Sequence, residues 1–326
     1  MLYSLPVLMY HSISRFKHYL CVSPEQFDEH CRVISEAGWQ GISLEEAEEY
    51  FLKKKKLPAK VCLFTFDDGY LDNYVHAEPI LRRYGHRGVI FPVLGLVEPK
   101  NILRPAADIS KKSGELTKLV KSLDKRPTAL RNGRPVIQLS FCSWQELKHM
   151  HFEGNMSAAP HSMHHHRVVR SLKIKGIFQP QGRGGFFSIP PHEICYGYPR
   201  FELGHGLAQR GYRILPEVLA LVKSLVPQEK EAAIKFLAEP EHQQAVINAV
   251  LKLPRLGVRE SKLEYESRVF RELDQCRELF IRHLGINPIS FAGHGAISAK
   301  PPWNLRGRQA SVYFSAPGDV PTASEG

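Results

Sequence analysis

Two adjacent carboxylates, Asp67 and Asp68, follow an apolar, strand-like run that ends at Phe66, and Gly69 comes directly after them. Like charges at the end of a strand repel each other, and burial makes that repulsion more costly. The pair is tolerated only with a bound cation, a shared proton or full solvation. Carboxylates that bind a divalent cation are typical of hydrolytic sites, so the pair predicts a cation partner elsewhere in the chain.

Histidines further along the chain could complete such a site. In "PHSMHHHRV", His161 and His165 are four residues apart, and His164 and His166 lie beside them. On a helical turn, two imidazoles at this spacing point to one side and can bind one divalent ion, with a carboxylate as third ligand and a position open for water. The alternative is a polar surface run that binds metal only adventitiously. The run follows a strand pattern, as the carboxylates do, which favours the site.

Strand and helix patterns alternate through the first hundred residues. The strand patterns are "PVLMYHSI", "KVCLFTF" and "GVIFPVL". Between them, Ser23 with Gln26 and Ser43 with Glu46 predict two helix starts of the capping-box type. This alternation predicts a parallel sheet or an α/β barrel, in which functional side chains lie on loops at the carboxyl ends of strands. Asp67 and Asp68 occupy such a position.

Two later stretches interrupt this pattern, from about residue 98 to 139 and from Lys173 to Gly206, where Gly, Pro and polar residues predict irregular structure. Helical patterns follow at about 215–225, 228–237, 241–253 and 262–284, and then two short strand patterns, "NPISFAG" and "ASVYFSA". We predict a single domain over residues 1–326, with insertions at about 98–139 and about 173–254.

At this point the sequence resembles a known family. "TFDDGY" (Thr65 to Tyr70) and "HSMHH" (His161 to His165) are similar to the first two motifs of the NodB-homology polysaccharide deacetylases, the fourth family of carbohydrate esterases. "PVLMYHSIS" and "CVSPEQFDEH" are similar to the beginning of bacterial members. The resemblance implies an α/β fold, a distorted seven-stranded (β/α) barrel related to the TIM barrel, with helical and irregular insertions. It also implies hydrolytic removal of N-acetyl groups from sugars.

The resemblance assigns roles to individual residues. It implies that Asp68, His161 and His165 bind one divalent metal ion and that Asp67 is the catalytic base. Zn²⁺ is the first expectation, and Co²⁺, Ni²⁺ and Fe²⁺ fit the same ligands. Tyr70, the last residue of the first motif, is a candidate substrate-binding residue.

The later family motifs are not found in this chain. Relatives have a segment similar to Trp-Pro-Trp-Gly where this chain has "AGHG", and they end with a histidine that acts as general acid. We expect His294, within "AGHG", to supply that acid, with His11 as second choice and otherwise a substrate-binding residue. Arg200 is expected to orient Asp67 or to bind an anionic group of the substrate. These differences leave open a degenerate deacetylase fold that binds glycan without turnover.

Composition limits the class of partner. The chain has 326 residues, 43% of them hydrophobic and 24% charged, and a net charge of +11, which favours an anionic partner. No aromatic and basic interleaving typical of a nucleic-acid module is present, so we predict no nucleic-acid partner. The six cysteines are scattered without a CxxC pair, which excludes a zinc knuckle and a disulfide framework.

The amino-terminal segment has no basic region before its short apolar stretch, which Pro6 and His11 interrupt. We therefore expect no integral membrane segment and a cytoplasmic location. The predicted function is metal-dependent deacetylation of an N-acetylated sugar in a bacterial polysaccharide or lipopolysaccharide pathway. An anionic or lipid-linked substrate would suit the basic chain, whereas the oligomeric state is not predicted.

Overall fold

The structure is a computed structural model that describes residues 5–53, 55–106, 114–125, 128–131, 134–137, 140–178, 195–292 and 312–314. The strands are β1 (Val7–Tyr10), β2 (Ser12–Ile13), β3 (Cys21–Val22), β4 (Gln40–Gly41), β5 (Val61–Asp68), β6 (Gly88–Pro92), β7 (Thr128–Arg131), β8 (Arg134–Ile137), β9 (Met156–Ala158), β10 (Arg167–Ile177), β11 (Pro199–His205), β12 (Tyr212–Ile214), β13 (Gly257–Arg259), β14 (Ser290–Ala292) and β15 (Val312–Phe314). The α-helices are α1 (Pro24–Glu36), α2 (Leu44–Lys53), α3 (Glu78–Arg83), α4 (Gly114–Lys125), α5 (Trp144–Phe152), α6 (Pro216–Leu225), α7 (Lys230–Ala238), α8 (Pro240–Leu251) and α9 (Lys262–Leu284).

The chain forms two compact units. The first contains residues 1–127, 137–164 and 272–326, and the second contains residues 128–136 and 165–271. The predicted insertion at about 173–254 falls within the second unit, and the assignment of one domain to residues 1–326 stays a prediction. In the part of the chain that the structure describes, no helix is both long enough and apolar enough to span a bilayer.

A parallel sheet organises the first unit. Its strands follow the order β1, β5, β6, β9, and β4 pairs with the first residues of β5. Every neighbouring pair is parallel, as the alternating strand and helix patterns predict. Across the described residues these strands form an open sheet, so the seven-stranded barrel is not confirmed.

Strand β5 is buried on both faces of this sheet. Phe64 and Phe66 belong to one apolar cluster, and Leu63, one residue out of phase, belongs to another that includes Phe91 of β6. All four side chains are fully shielded from solvent. A strand covered on both sides reads as a continuous apolar run, which explains why "KVCLFTF" shows no polar alternation before the carboxylates.

Capping boxes set the beginnings of the helices that flank the sheet. Ser23 accepts from the Gln26 N–H at the start of α1, as predicted. The predicted Ser43 box is also present, because Glu46 accepts from the Ser43 N–H at 2.8 Å. A third box begins α5, where Ser143 accepts from the Glu146 N–H at 3.2 Å. Each box satisfies backbone donors that a helix start otherwise leaves without an acceptor.

An antiparallel sheet organises the second unit, with strand order β11, β10, β12, β13. Helices α6, α7 and α8 contribute Val218, Leu237 and Val250 to a core with Val169 and Phe201 of the sheet.

The prediction of irregular structure from Lys173 to Gly206 was wrong at both ends, because β10 extends to Ile177 and β11 covers Pro199–His205. Residues 173–175 and 200–203 alternate charged and apolar side chains, a strand pattern that the surrounding Gly and Pro residues obscured.

Buried His86 generates a prediction about stability. Its ring is fully buried, Nδ1 accepts from the Gly41 N–H at 3.2 Å, and Nε2 donates to the Cys31 carbonyl at 3.1 Å. Burial lowers the pKa of His86, so the folded state holds the ring neutral while the unfolded chain protonates it near pH 6.5. The unfolded state then binds the extra proton, so stability is complete above about pH 6.5 and falls as the pH falls.

We expect His86→Gln to lower the free energy of unfolding by about 1–3 kcal/mol at neutral pH, because one buried hydrogen-bond partner is lost. The difference from the wild type should shrink as the pH falls toward about 5, by up to about 1.4 kcal/mol per pH unit. Urea denaturation across this pH range measures it, with exposed His30→Gln as the control. A difference that stays constant with pH would contradict the assignment of a neutral buried ring.

Candidate metal centre

Asp67 and Asp68 are the last residues of β5, opposite Phe91 and Pro92 of β6. Asp68 has φ 72° and Gly69 has φ 78°, so the backbone turns sharply out of the sheet at this point. A Cβ on residue 69 would lie 2.7 Å from the Pro92 Cβ, so only glycine fits there. The turn leaves both carboxylates at the carboxyl end of the sheet, as the sequence predicts.

Burial makes the two carboxylates an unfavourable pair. Asp68 is 3% exposed and Asp67 is half-buried. Burial and the neighbouring Asp68 charge raise the pKa of Asp67 to about 8. Burial also raises the pKa of Asp68 to about 6, and a hydrogen bond with the Tyr70 side chain opposes that shift. A cation bound beside the pair would favour the ionised forms and offset these costs.

The His161 imidazole faces Asp68. Its ring is fully buried, and its backbone N–H donates to the Pro92 carbonyl at 3.0 Å. Nδ1 lies 3.0 Å from the Ala292 carbonyl, which can only accept, so Nδ1 carries the proton. Nε2 is therefore left with its lone pair, 3.7 Å from Asp68 Oδ1. A carbonyl that fixes the tautomer in this way is typical of histidines that bind metals.

The segment from His161 to His165 is a loop and contains no helical turn. Ser162 forms an isolated bridge with Val93, the Gly95 N–H donates to the Met163 carbonyl at 2.7 Å, and His165 has φ 53°. The prediction that a helical turn aligns the two histidines was therefore wrong. Hydrogen bonds to the segment after β6 hold the loop extended, and the left-handed residue at its end brings the second imidazole back.

Gly95 is required for this arrangement. A Cβ at this position would lie 2.6 Å from the Met163 carbonyl oxygen and 2.8 Å from His164 Nδ1. Such separations are shorter than any Cβ contact found in proteins. The close approach lets the backbone after β6 support the loop between the two histidines.

A buried carboxylate supports the same loop from the other side. Glu272 of α9 is 7% exposed, and its Oε1 accepts the N–H groups of Met163 and His164 at 3.1 and 3.4 Å. Both donors lie between His161 and His165 in the sequence. Hydrogen bonds to a charged acceptor are stronger than those between neutral groups, so Glu272 is a positioning residue for the loop.

Asp68, His161 and His165 each offer one ligand atom, and these atoms lie within 4.8 Å of one another. Donor atoms around a tetrahedral zinc ion, at bond lengths of about 2.1 Å, lie about 3.4 Å apart. The separation of 3.7 Å between His161 Nε2 and Asp68 Oδ1 is close to that value. One carboxylate and two imidazoles also form a donor set that Zn²⁺ and neighbouring transition metals accept, so these residues fit the predicted ion.

The backbone is strained at two of these three residues. Among the described non-glycine residues, φ is positive at Lys60, Asp68 and His165. Left-handed backbone costs an ordinary side chain about 1–2 kcal/mol. Strain of this kind persists where surrounding contacts enforce it and is concentrated at functional sites.

Tyr70 and His11, the predicted substrate-binding residues, both lie near the carboxyl end of the sheet. Tyr70 is buried, stacks on Phe141 and contacts Asp68, so the structure shows it supporting a candidate ligand. His11 follows β1, whose Tyr10 pairs with Phe66, and is half-buried. Burial lowers the pKa of His11. Substrate binding by either residue stays a prediction.

The remaining predicted site residues are not part of the cluster formed by Asp68, His161 and His165 among the described residues. Arg200 is an exposed residue of β11 in the second unit, and its role stays a prediction. His294 lies outside the described residues, and its assignment as general acid is likewise a prediction. His164 and His166, the alternatives within the histidine run, are both exposed and are absent from the ligand group found among the described residues.

The sequence analysis missed Glu272. A usable signal exists in the sequence, because Val269, Cys276 and Phe280 form the buried stripe of α9 and Glu272 has the helical spacing of that stripe. A charged residue on an apolar helix face needs a specific partner. The loop that it supports lies 108 to 109 residues away, so the partner could not be read from the sequence.

We expect Glu272→Ala to weaken metal binding about 10–100-fold, the usual effect of removing a group that positions a ligand. The N–H groups of Met163 and His164 lose their acceptor in this variant, whereas Glu272→Gln keeps one oxygen and should retain most of the affinity. Competition with a chromophoric chelator measures the change, with exposed Glu278→Ala on the same helix as the control. Unchanged affinity in a folded Glu272→Ala protein would contradict this role.

Comparison with known proteins agrees with this site. Residues 54–179 match the family model described as polysaccharide deacetylase, and this segment includes Asp67, Asp68, His161 and His165. Over 89 residues the chain is 42% identical to YxkH of Bacillus subtilis (strain 168), a protein that carries the name of a polysaccharide deacetylase. That match covers 27% of this chain and about a third, 32%, of the length of the curated relative.

One solved structure shows a similar fold. A de-N-acetylase from Aggregatibacter actinomycetemcomitans aligns with a TM-score of 0.50 and 18% identity, over 89% of this chain and 78% of its own. The BpsB deacetylase domain from Bordetella bronchiseptica aligns with a TM-score of 0.49 and 16% identity, over 96% of this chain and 97% of its own. At 18% identity, the similarity to the de-N-acetylase shows the fold alone. The matched segment carries both motifs and is similar to the polysaccharide deacetylases.

Proposed function

We propose that the protein is a metal-dependent hydrolase that removes the acetyl group from an N-acetylated sugar of a glycan. One observation carries the proposal: Asp68, His161 and His165 converge within 4.8 Å while the adjacent Asp67 lies outside that donor group. A hydrolytic site needs ligands for an ion and a separate base, and these four residues supply both. The match of residues 54–179 to the polysaccharide deacetylase model supports the reaction class.

Asp68, His161 and His165 would hold the ion, with Zn²⁺ as the first candidate and Co²⁺, Ni²⁺ and Fe²⁺ as alternatives. When bound, it would lower the pKa of a water molecule and polarise the acetyl carbonyl. The Ala292 carbonyl keeps the proton on Nδ1 of His161 and so presents Nε2 to the site. The Tyr70 side chain holds Asp68 by a hydrogen bond.

Asp67 is proposed as the base that takes a proton from the attacking water. It follows Phe66 at the end of a strand that is packed on both faces, so its backbone is fixed by the core. Asp67 is the direct neighbour of Asp68 in the chain, so a base at this position would lie beside the ion that Asp68 would hold. A carboxylate held rigidly beside the reacting water is what general-base catalysis requires.

The departing amine must receive a proton as the carbon–nitrogen bond breaks. We propose His294 for this role and His11 as the second candidate, since an imidazole titrates near neutral pH. His11 lies at the carboxyl end of β1, one residue beyond the pair of Tyr10 with Phe66, and is therefore level with Asp67 along the sheet. Arg200 is proposed to bind an anionic group of the substrate.

The substrate is proposed to be a glycan of a bacterial surface-polysaccharide or lipopolysaccharide pathway, modified in the cytoplasm before export. The net charge of +11 supports an anionic or lipid-linked form, because a basic surface attracts phosphate and carboxylate groups.

We expect Asp67→Asn to keep the metal and to release acetate at least about a hundredfold more slowly, the usual scale for loss of a general base. Metal content by elemental analysis and acetate release from N-acetylated sugars are measured on the same preparation. Asp274→Asn, a partly exposed change on α9, is the control. Loss of metal in Asp67→Asn would instead make Asp67 a ligand. A wild-type protein that binds metal and glycan without releasing acetate would favour the glycan-binding alternative.

A further inference from the structure

The short loop between β2 and β3 carries three aromatic rings. Phe16, His18 and Tyr19 lie in a chain, with ring centroids 6.5 Å apart between the first two and 4.4 Å apart between the last two. Tyr19 is 88% exposed, the largest exposed fraction among the described large hydrophobic side chains. An aromatic ring gains considerable free energy from burial, so a ring held almost wholly in solvent can be covered by a ligand with a net gain.

The loop is anchored at its base. The Arg15 N–H donates to Asp124 Oδ1 at 2.9 Å, the Arg15 guanidinium donates to Asp124 Oδ2 at 3.0 Å, and the same guanidinium pairs with Glu25. At the other end, the Cys21 N–H donates to the His18 carbonyl at 3.0 Å. These bonds fix the backbone on both sides of the rings, so little ordering remains to be done when a ligand binds.

The base of the loop is tied to the strand end that carries the carboxylates. Asp72, four residues after Asp68, is 2% exposed and accepts the Ser12 hydroxyl at 2.7 Å and the Ile13 N–H at 3.0 Å. Asn73 donates to the His11 carbonyl at 3.0 Å. Because β1 and β5 are parallel, the chain leaves β1 at the same edge of the sheet as Asp67 and Asp68. The aromatic loop therefore rises from the edge at which the candidate metal centre lies.

We propose that Phe16, His18 and Tyr19 form a sugar-stacking subsite that binds the glycan chain beside the residue to be deacetylated. The pyranose ring has a flat face of C–H groups that packs against an aromatic face, while its hydroxyls reach the polar edges of Tyr and His. This inference rests on the proposed function, because the glycan is the substrate of that site. It makes the protein selective for a sugar chain over a single sugar, since the loop binds a part of the chain that does not react.

A membrane surface is a less suitable partner for this loop. Surfaces that insert into membranes present Leu, Phe or Trp side chains along an amphipathic helix. Here the rings lie on a loop of seven residues, 14–20, in which Tyr19 exposes its phenolic ring and Leu20 is half-buried. The Tyr19 hydroxyl and the His18 imidazole can form hydrogen bonds with a hydroxylated ligand.

The test measures binding of a chitin oligosaccharide, a chain of N-acetylglucosamine, by isothermal titration calorimetry. The Asp67→Asn background prevents consumption of the probe. Tyr19→Ala is expected to weaken binding about tenfold, the effect of removing one well-covered aromatic side chain. Tyr19→Trp keeps a ring and should keep the affinity. Phe152→Ala, which removes a ring that is 54% exposed on α5, is the matched control and should bind as the parent does. Melting temperatures check that each variant is folded.

The outcomes separate this inference from the proposed function. Equal binding by Tyr19→Ala and its parent, or no binding of the oligosaccharide by the parent, would overturn the subsite. Acetate release by the wild type with Tyr19-independent binding would overturn the subsite and leave the deacetylase proposal intact. Tyr19-dependent binding in a protein whose wild type releases no acetate would support the subsite and overturn the deacetylase proposal. Sedimentation with phosphatidylglycerol vesicles that depends on Tyr19, when sugar binding does not, would assign the loop to a membrane surface and also overturn the subsite.

Discussion

The buried pair of carboxylates at the end of β5 is the constraint on which the site depends. The apolar clusters on both faces of the strand leave Asp67 and Asp68 at a partly buried sheet edge, where desolvation raises the pKa of both and the Asp68 charge raises that of Asp67 further. A bound cation would favour the ionised carboxylates and would also engage His161 Nε2, which faces Asp68. The same packing that makes the pair costly also fixes its geometry.

Support for the histidine ligands comes from distant parts of the chain. Glu272 accepts two N–H groups of the histidine loop, Gly95 allows the backbone after β6 to approach it, and the Ala292 carbonyl sets the tautomer of His161. These contacts also compensate the left-handed backbone at Asp68 and His165. A divalent ion would therefore bind to groups that the fold already orients, which lowers the cost of binding.

Local signals predicted much of this arrangement. Alternating strands and helices indicated the parallel sheet, capping boxes marked the starts of α1 and α2, and the two motifs identified Asp68, His161 and His165. The loop conformation could not be predicted, because two of its hydrogen-bond partners, Glu272 and Ala292, lie 108 and 131 residues away and no local pattern encodes them. The sequence analysis missed the end of β10 and all of β11, because their alternation of charged and apolar residues is short and is surrounded by Gly and Pro. His294 lies outside the described residues, so the sequence alone assigns it.

The central claim is that one divalent ion binds between the end of β5 and the histidine loop. Anomalous diffraction at the zinc absorption edge, from crystals grown with Zn²⁺, tests it most directly because it locates the ion without reference to activity. The account predicts a single strong peak within bonding distance of Asp68, His161 and His165, at about 2.0–2.2 Å from each ligand atom, with Asp67 outside the coordination sphere. A peak at His164 and His166, or no peak at the three residues, would contradict it.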